Sequence, residues 1–121
     1  MSIAGTGIDI VCTSRFDPAR VEALAGKMLT KREAEYCRSR RDFILHMSGR
    51  IAAKEAFFKA ANRIDSSLSW KDIEVTSRGV PGLSGECRAY RVLESRNLQC
   101  SLSISHDTGY AVAHALIWSK E

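Results

Sequence analysis

The chain has no apolar run near the roughly 20 residues that a membrane-spanning helix needs, so no membrane role is expected. Its start, MSIAGTGIDIV, has no cationic segment and carries Asp9 inside the apolar stretch, which argues against a secretory signal. The four cysteines, Cys12, Cys37, Cys87 and Cys100, form no CxxC pair and no zinc spacing. They read as reduced packing residues of a cytoplasmic protein, with disulfide staples the less favoured reading. Neither GxxxxGK[ST] nor GxGxxG occurs, so any phosphate site must be built another way. Aromatic residues are only 7%, and Phe57, Phe58 and Trp118 read as core, which speaks against a base-stacking nucleic-acid module. Repeats, low-complexity tracts and linkers are missing too.

What is present suits one small globular domain over residues 1–121: 45% hydrophobic and 26% charged residues. A core of this size leaves much surface open, and a deep pocket would need walls from a second subunit. The formal net charge of +4 serves solubility or draws in an anionic partner, and charge alone does not choose.

Alternation from Ile3 to Val11 predicts a strand, with Ile8 and Ile10 on one face and Gly7, Asp9 and Val11 on the other. Asp17–Pro18 opens a short helix over Pro18 to Lys27. Thr30-Lys-Arg-Glu33 is a capping-box signature for a helix ending near Arg38 to Arg41. Asp42 caps a long helix running to about Asn62. A loop over Asp65 to Ser69 precedes a short strand over Asp72 to Thr76, and Ser77 to Gly82 is turn-rich. A helix over Glu86 to Arg96, a half-buried strand over Leu98 to Ser105 and a final strand over Tyr110 to Trp118 complete the chain. The last two pair as a hairpin about Asp107-Thr-Gly109. The expected fold is α+β: a small, mostly antiparallel sheet packed against helices.

The long helix holds an anomaly. "GRIAAKEAFFKAAN", Gly49 to Asn62, reads as interior yet carries Arg50, Lys54, Glu55 and Lys59. At 100° per residue, Leu45, Gly49, Ala52, Ala53, Ala56 and Ala60 form a small-residue stripe that admits a neighbouring backbone closely. Glu55 lies on the next stripe among Ile44, Ile51 and Phe58. A lone carboxylate there would cost several kcal/mol if buried. One reading is an ordinary Glu55–Lys59 surface pair at i,i+4 with two solvated cations. The other pairs Glu55 with Asp9, the acid inside the first strand. Two such carboxylates can hold a hard cation such as Mg²⁺, whose remaining ligands are water and substrate phosphate. Nearby cations then hold the rest of the phosphate charge, as phosphoryl-transfer chemistry requires. His106, at the end of "SLSISH", either joins that site or is a turn histidine with no task.

Taken in order, GIDIV at Gly7 to Val11, GRxAAKEAxxKA at Gly49 to Ala60, SxSH at Ser103 to His106 and YAVA from Tyr110 resemble the holo-[acyl-carrier-protein] synthase family of 4′-phosphopantetheinyl transferases. The resemblance spans nearly the whole chain. It implies an enzyme that moves the phosphopantetheine arm of coenzyme A onto a serine of an acyl carrier protein and releases adenosine 3′,5′-bisphosphate. It implies a homotrimer with sites between subunits. By motif match, Asp9 and Glu55 bind Mg²⁺ with the pyrophosphate, and Glu55 or a water by the ion helps to take the serine proton. Lys59 stabilises the pyrophosphate charge. Arg50, Lys54 and His106 serve the phosphate and nucleotide end. Gly79 and Pro81 match a loop that lies against the nucleotide from the neighbouring subunit. Arg15 matches a family arginine and is a docking contact for an acidic carrier, with Arg20 beside it; Lys31, Arg32, Arg38, Arg40 and Arg41 extend that face or are plain solvated surface.

Two departures stand out. Cys12 replaces a glutamate common after GIDIV, which puts an auxiliary acidic role in doubt. Val80 replaces the lysine common in the GKP turn, which removes one cation from the nucleotide side. Three other readings stay open: a carrier from polyketide or peptide synthesis, a carrier-binding subunit without catalysis, and a basic nucleic-acid module.

Overall fold

The computed structural model describes residues 1–76 and 80–120. Its order is β1 (Ile3–Cys12), a 3-10 turn (Thr13–Arg15), α1 (Val21–Met28), α2 (Lys31–Ser39), α3 (Phe43–Ala61), a second 3-10 turn (Trp70–Asp72), α4 (Arg88–Ser95), β2 (Leu98–Asp107) and β3 (Tyr110–Ser119). The described strands form one antiparallel sheet in the order β1-β3-β2, so the chain's last strand is the central one. The expected α+β architecture is present.

Local signals act where they stand. The Thr30 hydroxyl accepts from Glu33 N, and the Glu33 carboxylate accepts from Thr30 N at 2.8 Å, closing the capping box. Asp42 Oδ1 accepts from Leu45 N at 3.0 Å and starts α3. Thr108 and Gly109 both have positive φ, as a tight two-residue hairpin turn demands. Two expectations are corrected. The helix foreseen from Pro18 begins at Val21, because Asp17 instead closes a turn: Oδ1 accepts from Ala19 N, and its carbonyl accepts from Arg20 N. The strand foreseen over Asp72 to Thr76 is a single bridge, Val75 to Leu83, since Asp72 is held in a 3-10 turn by Ser69.

The inner face of the sheet explains how near α3 lies. β3 offers Ala111, Ala113, Ala115 and Ile117, all buried, and β1 offers Gly7, Asp9 and Val11. A Cβ on Gly7 would stand 2.1 Å from the Ala56 carbonyl oxygen, so only glycine permits this approach. The small-residue stripe of α3 is buried throughout: Gly49, Ala52, Ala53, Ala56 and Ala60. On its far side α3 meets α1 and α2, and it touches the second 3-10 turn through Phe58 on Trp70 and Lys54 on the Trp70 carbonyl; Met47, Ile51 and Phe57 are wholly enclosed. α3 is therefore a central helix, covered on both sides. The outer face of the sheet has no such cover. Ile8 and Ile10 stand about 60% exposed, and Tyr110 and His114 open beside them on β3.

Candidate active site

β1 and α3 bring two distant acids together. Asp9, opposite Ala113 in the sheet, points its carboxylate toward α3. Glu55 comes from the exposed side of α3, with the Asp9 carboxyl as its electrostatic neighbour. Partial burial first, and then the Asp9 carboxyl beside it, push the Glu55 pKa above the usual carboxylate range; Arg15 opposes this. Lys59, one helical turn on, donates to Asp9 Oδ1 at 3.0 Å and to the Ile8 carbonyl at 2.8 Å. Arg15, on the turn after β1, reaches Glu55 Oε1 at 3.5 Å. The Glu55–Lys59 surface pair is thus replaced by a crossed arrangement: lysine on Asp9, arginine on Glu55. Asp9 Oδ2 is buried, and among the described residues no donor meets it.

An unmet carboxylate oxygen beside a second carboxylate of raised pKa fits a cation. No group of three or more His, Cys, Asp or Glu side chains gathers among the described residues. A cation here would therefore take two protein carboxylates and fill its shell from water and phosphate, the habit of Mg²⁺.

A second cluster lies at the other end of α3. Tyr36, His46, Arg50, Thr76, Pro81, Ile104 and His106 line a cleft of about 150 Å³. The Arg50 guanidinium stacks over the Tyr36 ring at 4.4 Å. The rings of His46 and His106 are 6.0 Å apart. Burial and the nearby Arg50 charge lower the pKa of both histidines; for His46, Arg40 acts between them in strength. Gly49 makes room for the His106 ring, since a Cβ there would lie 2.6 Å from Nε2. Arg50 precedes Glu55 by five residues, about 7–8 Å along the axis. β2 and β1 sit on either side of β3, and Asp9 is level with Ile104, so His106 lies two strand spacings across and two residues along from Asp9, about 12 Å in all.

The sequence expectations divide accordingly. Asp9, Glu55 and Lys59 meet, with Arg15 at their edge. Arg50, Pro81 and His106 meet in the cleft. Gly79 lies outside the described residues. Arg20 is exposed just before α1. Lys54 is corrected: it is wholly buried, and its three protons go to Glu33 Oε1 at 2.5 Å, Met28 O at 2.8 Å and Trp70 O at 2.9 Å. No donor remains for a phosphate. Tyr36 and His46 escaped sequence reasoning. His46 had a signal, its i,i+4 spacing to Arg50 on one face of α3; Tyr36 had none. The arginines of α2 are partly spoken for, Arg38 by Glu22 and Arg32 by Glu86.

Residues 5–118 match the family model of the 4′-phosphopantetheinyl transferase superfamily. A holo-[acyl-carrier-protein] synthase of Geobacter sp. (strain M21) is 39% identical over 95% of this chain and 98% of its own. Another from Myxococcus xanthus (strain DK1622) is 34% identical over 99% and 98%. Among solved structures, the Bacillus anthracis holo-(acyl-carrier-protein) synthase in complex with CoA (3′,5′-ADP) superposes with a TM-score of 0.78 at 30% identity, covering 99% of this chain and 100% of that one. The Neisseria meningitidis holo-[acyl-carrier-protein] synthase gives 0.79 at 25% identity, with 97% and 99% covered. This chain belongs to the 4′-phosphopantetheinyl transferase superfamily. It is an enzyme, and the reaction class is group transfer.

Proposed function

We propose that the chain works as a holo-[acyl-carrier-protein] synthase through the Asp9–Glu55 pair. The substrates are coenzyme A and an apo acyl carrier protein. The carrier serine oxygen attacks the phosphorus that bears the pantetheine arm. The bond from that phosphorus to the bridging oxygen breaks, and adenosine 3′,5′-bisphosphate leaves with the electron pair. The serine proton passes to Glu55, directly or through one water. A Mg²⁺ ion held by Asp9 and Glu55 would screen the pyrophosphate charge when bound. Lys59 keeps Asp9 oriented and presents a cation to the same charge. Arg50 and His106, with Pro81 opposite, take the phosphate and nucleotide end. Arg15, and Arg20 further out, face the acidic carrier; release of Arg15 from Glu55 frees that carboxylate as the carrier docks.

We also propose a homotrimer. The cleft of about 150 Å³ is below the roughly 300 Å³ of a site for a drug-sized ligand, so coenzyme A needs further walls. The bare apolar sheet face supplies a surface on which a second copy can build them. Placement in fatty-acid biosynthesis in the cytoplasm completes the reading.

The observation that carries the proposal is the unmet Asp9 oxygen beside Glu55. The test is incubation with coenzyme A, Mg²⁺ and apo carrier, with the carrier weighed by mass spectrometry. One phosphopantetheine should be gained. Asp9→Ala and Glu55→Ala should each abolish the gain while the circular dichroism spectrum is kept, and EDTA should stop wild type until magnesium is restored. Full activity in both variants overturns the assignment.

A further inference from the structure

The neighbour of Glu55 in sequence faces the interior and has no place in the chemistry above. Lys54 and Glu33 are an ion pair with no exposed surface. Pairs of this kind are poor devices for stability, because apolar residues of equal volume often do as well. This one is unusually complete. The three Lys54 protons are all placed, on Glu33, on the last residue of α1 and on Trp70. Glu33 closes the α2 capping box with Oε1. A capping box needs only one oxygen. The other, Oε2, accepts from the Val75 backbone N–H at 2.7 Å.

Val75 stands directly before Thr76, which lines the cleft together with Pro81. It bridges to Leu83, Thr76 N donates to Gly82 O, and Ser84 N donates to Glu74 O. Glu74 is itself held by the Thr30 hydroxyl at 2.6 Å. The bond chain thus runs from the residue beside Glu55, through one buried carboxylate, to the wall of the cleft containing Arg50 and His106.

We propose that Glu33 and Lys54 are positioning residues for coenzyme A: they fix Thr76, and with it Pro81, against α3, so that the cleft is preformed at a set distance from the acid pair. The inference rests on the reading that this cleft takes the nucleotide end. Its loss therefore shows in the affinity for coenzyme A, and not in the chemical step.

The variant is Glu33→Gln with Lys54→Met, which removes both charges together and leaves none buried alone. In the transfer assay KM for coenzyme A should rise about tenfold, the cost of a lost positioned contact, while kcat at saturation stays within about threefold. Hydrogen exchange of the wild type gives an independent reading that needs no variant: coenzyme A should slow the Val75 amide more than the Ile117 amide of the sheet core. An unchanged KM in a folded double variant overturns the inference, as does a fall in kcat alone. Equal slowing at Val75 and Ile117 overturns it also. If wild type binds no coenzyme A in calorimetry, the reading of the cleft falls first and takes this inference with it; if wild type binds and transfers normally, only the inference is at stake.

Discussion

Glu55 shows how one side chain records its surroundings. Its carboxyl titrates above the usual range because partial burial and Asp9 both disfavour the charge. The folded chain therefore holds a proton there that the unfolded chain has released, over the interval between the ordinary value and the raised one. Stability present below that interval is lost as pH rises through it. Glu55→Gln cannot titrate. In EDTA it should melt higher than wild type at pH 8, with the gap closing toward pH 4, as read by thermal melts across pH. Magnesium should raise the wild-type melting temperature at pH 8 and leave the variant's nearly still. A gap that does not depend on pH would mean that the acids do not feel each other. Lys54 teaches the reverse lesson. On a helical wheel a lysine in a run of alanines reads as a surface cation, yet its partner Glu33 stands 21 positions earlier. Periodicity registers faces; it carries no trace of a long-range partner. Asp9 and Glu55 were legible for a different reason: each broke an apolar pattern where a charge had no local excuse.

Among the elements, α3 sets the site. It crosses from β2, where Gly49 admits His106, to β1, where Ala56 lies on Gly7. Gly7→Ala would drive a methyl into a backbone oxygen that has no rotamer to yield, so strain of at least about 1–3 kcal/mol is expected. Urea denaturation should report it. The same methyl would press on Lys59 Cβ, 2.9 Å away, so residual folded protein should also lose transfer rate. Caps, hairpin and alternating strands could be read from sequence because their causes lie within four residues. The Asp72–Thr76 stretch could not: whether an extended run becomes a strand depends on a partner, and among the described residues only Leu83 answers. The burial of α3 on both of its packed sides was equally hidden, since Arg50 and Lys54 masked it with charges, one stacked on Tyr36 and the other paired with Glu33 inside.

For the whole molecule, the outer sheet face is the surface that a second copy would cover. Thr6 and His114 bond across it at 2.9 Å, yet Ile8 and Ile10 remain bare. If three copies meet there, Ile10→Asp should leave a folded protomer that sediments as a monomer and transfers poorly. A variant that stays trimeric would move the interface elsewhere. Among the described residues no helix is long and apolar enough to cross a membrane.

The strand order has a consequence for how the chain is made. β1 and β2 meet only through β3, and β3 is the last of them to leave the ribosome. Until Tyr110–Ser119 emerges, the first strand has no partner for its backbone, and Asp9 has no fixed neighbour across the sheet. Such long-range pairing folds slowly. A nascent chain halted before Tyr110 would be an inert, sticky fragment, so the transferase centre assembles only once β3 has emerged.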